Sequence, residues 1–474
     1  MAKSALSLFF AVVVSGQAFH PDIPRTWDDR EVAAFQLPLA QRVRSPRYMS
    51  SQEYYKLKVR PIYRTYPIYA AGREPAGYFE SLKQKEPEIV FNASKLRTKE
   101  DWIRAGQLVF EAAPEPEPAP PGSFPAPGGI QLRTTSDGVI PYLRYVIRRK
   151  GVVEFGVTSC AACHTRVLDD GAVVEGAQGN LPVDQIGAAL GGAAAQSRWA
   201  FFGAPWVMPR EEYERASTAE EYIRRHGAMQ PGVLARHGSS DSSPTKIPSL
   251  IGLQDIKFLD STGLMRHRSI GDLMRYAAAN YGLDIIAHYG GFQPQTVMTG
   301  LAEDGTRFSD EQLYALALYI YSLKPPPNPN PFNDEAKRGQ RIFQQQGCIN
   351  CHTPLLYTNN KLTPAQGFQV PDDLRRTGDI LSGSVGTDPE LATQTRRGTG
   401  FYKVPSLRGV WYRNAFGHSG QAETLEEWFD PARLQADYVP HGFHLGPAPI
   451  KGHEFGLKLS PDDRKALIAF LKTL

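Results

Sequence analysis

All four cysteines of this 474-residue chain fall in two short motifs, Cys160-Ala161-Ala162-Cys163-His164 and Cys348-Ile349-Asn350-Cys351-His352. C-x-x-C-H is the attachment signature of a c-type haem. Side chains three and four apart share one face of a helical turn. Both sulfurs can therefore reach the two vinyl groups of one porphyrin while the adjacent histidine turns toward its iron. The spacing implies two covalently bound c-type haems, with Cys160, Cys163, Cys348 and Cys351 as attachment points and His164 and His352 as iron ligands. Structural zinc also uses cysteine pairs, but about 12–20 residues apart; here the pairs stand much farther apart and a histidine trails each. Two disulfides would leave both histidines unexplained, and a thioredoxin-like pair would not be duplicated.

What fills the remaining axial position separates electron transfer from reaction chemistry. All seven methionines lie at or before Met298, so the second motif needs another ligand or an open site. The later histidines are His418, His441, His444 and His453. Glycines flank His453 in Gly452-His453-Glu454-Phe455-Gly456 and permit close approach of backbone to a porphyrin. His453 is the first candidate sixth ligand and His418, in Phe416-Gly417-His418-Ser419-Gly420, the second. Around the first motif the candidates are Met265 and His267, and an open iron stands equally with them. His226, His237 and His288 read as surface or core residues. Trp199, Trp206 and Trp411 are candidates for shortening an electron path, although such residues ordinarily serve as core.

The elements that position these motifs are repeated along the chain. Gly106-Gln107-Leu108-Val109-Phe110 corresponds to Gly339-Gln340-Arg341-Ile342-Phe343. Ile247-Pro248-Ser249-Leu250 corresponds to Val404-Pro405-Ser406-Leu407, and residues 309–323 correspond without gaps to 460–474. The last pair predicts a closing helix in each half. Ser309 with Gln312, and Ser460 with Asp463, mark the starts, and apolar stripes follow. Each repeat runs as an opening helix, a haem motif, a long irregular stretch, a Pro-Ser-Leu segment and a closing helix. The first copy carries a large insertion before Cys160, including a Pro/Ala/Glu/Gly-rich stretch at 111–129 that predicts a surface loop. A proline- and asparagine-rich segment at 324–333 separates the halves. The expected fold is mainly α: two cytochrome-c-like haem domains in tandem, at 99–325 and 331–474, with long loops. Residues 19–98, rich in Tyr, Pro and Arg, form an irregular N-terminal arm.

Residues 1–18 read as a signal peptide. Lys3 supplies the positive region, residues 5–14 the apolar stretch, and Gly16-Gln17-Ala18 the small residues of a cleavage site. The apolar stretch is too short to span a bilayer comfortably, and no later segment approaches the length needed. The expectation is an exported protein, periplasmic or otherwise outside the cytoplasm, with no transmembrane span in the mature chain. Composition is that of a globular protein, 41% hydrophobic and 22% charged. The net charge of +4 is spread without blocks of one sign, which argues against nucleic acid as the main partner.

Two C-x-x-C-H domains, the second running through Gly339-Gln340-Arg341-Ile342-Phe343, Val404-Pro405-Ser406-Leu407-Arg408, a His-x-Gly turn and Thr424-Leu425-Glu426-Glu427, resemble the bacterial di-haem cytochrome c peroxidase superfamily. That superfamily includes the methylamine-dehydrogenase maturation enzyme and the rubber oxygenases. The resemblance covers about residues 99–474 and is stronger in the second half. It implies that the haem at Cys348, Cys351 and His352 transfers electrons while the haem at Cys160, Cys163 and His164 meets peroxide or oxygen, with a redox partner protein supplying or taking electrons. Gly417 stands where the peroxidases normally carry methionine. The Gly-His-Glu-Phe-Gly segment is instead similar to the rubber-oxygenase branch, in which a late histidine ligates the second haem. No counterpart of a peroxidase's distal acid or base is legible near the first motif. Three readings therefore stand: an electron carrier, an enzyme acting on a small oxidant, and a docking subunit of a redox complex.

Overall fold

The computed structural model describes residues 19–41, 46–113, 117–118, 129–156, 159–189, 218–235, 239–289, 306–395 and 397–474, with backbone alone at 46, 117–118 and 281–289. The leader at 1–18, Trp199, Trp206, His237 and Met298 lie outside these residues, as does most of 111–129 and the side chain of His288.

Two helix pairs organise the molecule. Lys99–Glu111 packs against Asp310–Ser322, and Asp334–Gln345 packs against Pro461–Lys472. Both closing helices start where the sequence predicts. Ser309 forms a complete capping box with Gln312, and the Ser460 hydroxyl accepts the Asp463 N–H. Their buried stripes are Leu313, Leu316, Ala317 and Ile320 in one, and Ala466, Leu467, Phe470 and Leu471 in the other. Each pair closes on a glycine. A Cβ on Gly106 would stand 2.0 Å from the Ala315 carbonyl oxygen, and one on Gly339 would stand 1.8 Å from that of Ala466. Ala315 and Ala466 occupy equivalent positions in the repeat, so the same backbone approach is built twice.

The Pro-Ser-Leu segments also fold alike. Each runs into a 3₁₀ turn, Leu253–Asp255 or Val410–Tyr412, capped by a glycine at positive φ, Gly252 at 75° and Gly409 at 72°.

Among the described residues helix takes about 34% and strand about 14%, so that part of the fold is more mixed than the mainly α expectation. The difference lies in the first half. Val139–Arg149, a run of β-branched and aromatic residues suited to a half-buried pleat, pairs antiparallel with Thr65–Tyr69 on one side and Val152–Gly156 on the other. Glu117–Pro118 adds to the outer edge of Val152–Gly156, which places this part of the expected loop in the sheet. Ile68, Tyr142, Tyr145 and Ile147 form a core of their own beneath it.

The N-terminal arm is less irregular than expected. It holds an Asp28-capped helix, Asp29–Phe35, and supplies the sheet's edge strand Thr65–Tyr69. Trp27, Phe35, Tyr54 and Ile62 enter the same core as the first helix pair, with Trp27 stacked on Tyr54 at 5.0 Å. Tyrosines and tryptophans spaced without period make no amphipathic pattern, yet each buries a large apolar area.

The halves meet along a polar seam. Arg166 donates to the Asn414 side chain at 2.9 Å, the Thr262 hydroxyl to the Arg397 carbonyl at 2.6 Å, and the Asn414 N–H to Gln178 at 3.2 Å. Among the described residues no helix is long and apolar enough to cross a membrane.

Candidate haem site

The two C-x-x-C-H motifs are held by different local devices. Cys160–His164 is a short helix whose start is capped by Ser159, which accepts the Ala162 N–H at 3.0 Å. In the second motif Gly347, at φ 74°, turns the chain into the 3₁₀ segment Cys348–Asn350, and the His352 N–H reaches the Cys348 carbonyl at 2.8 Å. Both are single helical turns that bring the two sulfurs and the histidine together. No disulfide joins either cysteine pair.

Cys348, Cys351 and His352 line a cavity of about 240 Å³, as do His418 and His453. Apolar surface dominates its wall, with Phe343, Leu407, Trp428 and Leu471 among the contributors. The His352 Nδ1 faces the Tyr357 carbonyl at 3.0 Å, which leaves Nε2 for another partner. Burial lowers the His352 pKa, against the Tyr357 and Pro405 carbonyls, which raise it. Neutral imidazole is the form that ligates a metal.

His453 stands opposite. Its ring centre lies 6.3 Å from that of His352, with the planes at 63°, and its Nδ1 is buried without a hydrogen-bond partner. Enclosure by the protein takes its pKa down to about 4, with the His352 ring adding to the effect. The backbone at His453 is left-handed, φ 47°, a conformation that costs a non-glycine residue about 1–3 kcal/mol and persists only where the surroundings impose it. The surroundings are on hand. Gly452, also at positive φ, brings the chain so close to Gly386 that a Cβ would stand 2.3 Å from its carbonyl carbon. The His453 N–H is held by the Val385 carbonyl at 2.7 Å.

His418 is engaged otherwise. Its Nε2 pairs with the Thr387 hydroxyl at 2.8 Å, and its ring stacks on Tyr402 at 3.4 Å. His441 is exposed and paired with Glu427, while the His444 Nδ1 pairs with the Gly442 carbonyl.

An iron–porphyrin group can be tested against this arrangement. Two metal–imidazole bonds of about 2 Å each, with the two ring radii, come to roughly 6 Å between ring centres, which the observed separation matches. The apolar wall suits a porphyrin face, and the orphaned His453 Nδ1 lies in a loop that its neighbours hold in a strained conformation. The residues present fit the group.

Around the first motif, burial lowers the His164 pKa to about 4, with the Pro248 carbonyl beside it raising it. Its Nδ1 makes no hydrogen bond of ordinary geometry. Pro248 and Pro405 are equivalent in the repeat, so each proximal histidine has the same prolyl carbonyl for a neighbour. His267 has both nitrogens engaged, Nδ1 by the Ile256 carbonyl at 2.7 Å and Nε2 by the Tyr321 hydroxyl at 2.5 Å. Met265 is closed into the main core. His226 is a buried residue paired with Asp184 at 2.7 Å, and Trp411 sits edge-on to Tyr412 between the halves.

Two groups of residues escaped sequence reasoning. Lys246 and Lys403 line the cavity; both stand just before the repeated Ile/Val-Pro-Ser-Leu segment, so extending the repeat by one residue would have found them. Arg433, fully buried, holds the His453 loop through backbone carbonyls, which leave no mark in the sequence.

Residues 336–474 match the cytochrome c family model. No curated protein matches the chain. Solved structures with some likeness include hydrazine synthase of Kuenenia stuttgartiensis, at 17% identity over 59% of this chain and 86% of that one, TM-score 0.30. The di-haem peroxidase BthA of Burkholderia thailandensis is 14% identical over 88% of this chain and 93% of its own, TM-score 0.28. A MauG-like protein associated with microbial copper homeostasis is 18% identical over 35% of this chain and 56% of its own, TM-score 0.23. The family match falls on the half of the molecule that supplies most of the cavity wall, its paired histidines and the second C-x-x-C-H turn: residues 336–474 are a cytochrome c domain, the module of haem-bearing electron-transfer proteins.

Proposed function

We propose that this chain is an exported di-haem c-type cytochrome of the di-haem peroxidase kind, passing electrons between a partner protein and a site at its first haem. Cys160 and Cys163 would hold one haem with His164 as an iron ligand, and Cys348 and Cys351 would hold the other, with His352 and His453 as the residues that would ligate its iron. The observation that carries this is the facing of His352 and His453 at 6.3 Å across an apolar cavity beside the two thiols. A bound haem supplies reversible one-electron chemistry. The chain's own residues do the rest: Tyr357 orients the His352 ring, the 450–456 loop presents His453, and the apolar wall excludes water.

An open first iron, acting on a small oxidant such as peroxide or oxygen, is favoured over a fully ligated one because both nitrogens of His267 are already spent. The test is mass and optical spectroscopy of the purified protein. Mass gain for two porphyrins, with one haem binding cyanide readily and the other not, is the expected result. Two haems that both resist cyanide make the molecule a carrier or docking subunit. No mass gain ends the proposal.

A further inference from the structure

Lys246 and Lys403 are equivalent residues of the repeat, yet each crosses to the other half. The backbone N–H of Lys246, from the first half, donates to the His418 carbonyl at 3.2 Å, and its charge acts on His352, His418 and His453. Lys403, from the second half, donates its N–H to the Ser261 carbonyl at 3.0 Å and its ammonium to the Phe258 carbonyl at 3.4 Å. Both line the same cavity, and so does Arg413.

Three cations around a mostly apolar cavity are costly unless an anion joins them. Among the described residues none of the three has a carboxylate ion-pair partner. Asp260, which acts on Lys403 from a distance, is already committed to Arg397. Both amines are shifted in the direction such a cost implies. Burial pulls Lys246 down to about 7, with Arg413 and Lys403 adding to the fall. Burial pulls Lys403 down to about 8, offset in part by Asp260. The Arg413 guanidinium donates to the Ser406 carbonyl at 3.1 Å and to that of Arg408, but its Nε stays buried and unpaired.

We propose that Lys246, Lys403 and Arg413 form a carboxylate-binding cradle at the seam between the halves, which takes the propionates of the haem at Cys348 and Cys351. The inference rests on the haem reading above and adds its consequence: a residue of the first half sets the charge around the haem of the second. A cation near the iron favours the reduced state, which carries one positive charge fewer. At roughly 8 Å and an effective dielectric near 20, one charge is worth about a tenfold or larger change in the reduced-to-oxidised ratio.

The test uses the full-length holoprotein in redox titrations at about pH 6, followed through the cyanide-insensitive haem. Lys246→Met and Lys403→Met should each lower the reduced-to-oxidised ratio at fixed potential by about tenfold, with porphyrin mass retained. Lys246→Arg, which keeps the charge, should restore it; where the methionine variant does not fold, Lys246→Gln replaces it. A loaded protein whose ratio moves in neither lysine variant overturns the cradle alone. A wild-type protein with no porphyrin on Cys348 and Cys351 overturns the parent reading as well, and the mass distinguishes the two failures.

Discussion

The guanidinium of Arg433 donates to the His453 carbonyl oxygen at 3.0 Å, and the same group holds the Gly452 carbonyl at 2.9 Å, the Trp428 carbonyl at 2.8 Å and that of Ile450. Its plane lies over the Trp428 ring at 4.8 Å, and burial lowers its pKa. One fully buried cation thus fastens the loop that carries the strained histidine to the short helix Leu425–Trp428 on the cavity wall.

Replacing that clamp should loosen the ligand before it unfolds the protein. Arg433→Met leaves several buried carbonyls unpaired, and a stability loss of about 3 kcal/mol or more is expected in urea unfolding. In the folded fraction the second haem should acquire high-spin character. Lys at this position cannot fork to so many acceptors and should not rescue the spectrum. A purely low-spin second haem in Arg433→Met means that the loop needs no clamp.

His453 and His418 differ in what their loss should do. His453→Ala should retain both porphyrins by mass and convert the second iron to high spin. His418→Ala removes the Thr387 hydrogen bond and the Tyr402 stack, so it should cost stability while leaving the spectrum low-spin. The reverse pattern makes His418 the ligand.

The glycines of the two helix crossings give a prediction about the fold alone. Gly339→Ala drives a methyl group into the Ala466 backbone, and Gly106→Ala does the same at Ala315. Each should destabilise by about 1–3 kcal/mol through overpacking, seen as a lower denaturation midpoint. Gly106 and Gly339 lie in right-handed helix and so report collision alone, whereas Gly367, at φ 77° with nothing within 4 Å of an added Cβ, reports conformational strain alone.

Asp272 supplies the pH prediction. It is buried between Arg268 and Arg275, each donating at 2.8 Å. Burial raises its pKa, but the hydrogen bonds from the two arginines outweigh that and leave it below the ordinary carboxylate value. A depressed pKa means that the contribution to stability is present in full above the unfolded value of about 3.9 and is lost as pH falls through the lower folded value. Asp272→Asn should cost about 3 kcal/mol at neutral pH, and the gap between wild type and variant should close in acid. A gap that stays constant down to about pH 2 removes Asp272 from the acid response.

The residues themselves carried the two attachment motifs: C-x-x-C-H spacing is a property of one helical turn, so Cys160 to His164 and Cys348 to His352 can be read from five consecutive letters each. The closing helices at Ser309 and Ser460 were equally legible, because a cap and a 3.6-residue apolar period are local. Tertiary structure decided the rest. The facing of His352 and His453, the crossing of Lys246 and Lys403 to opposite halves, and the grip of Arg433 on the His453 loop all join residues distant along the chain, several of them through backbone groups that every residue possesses. The sheet around Val139–Arg149 belongs there too, since its edge strand comes from the N-terminal arm. Pairing across such distances depends on how chain segments pack, and a linear pattern carries no record of which segments become neighbours.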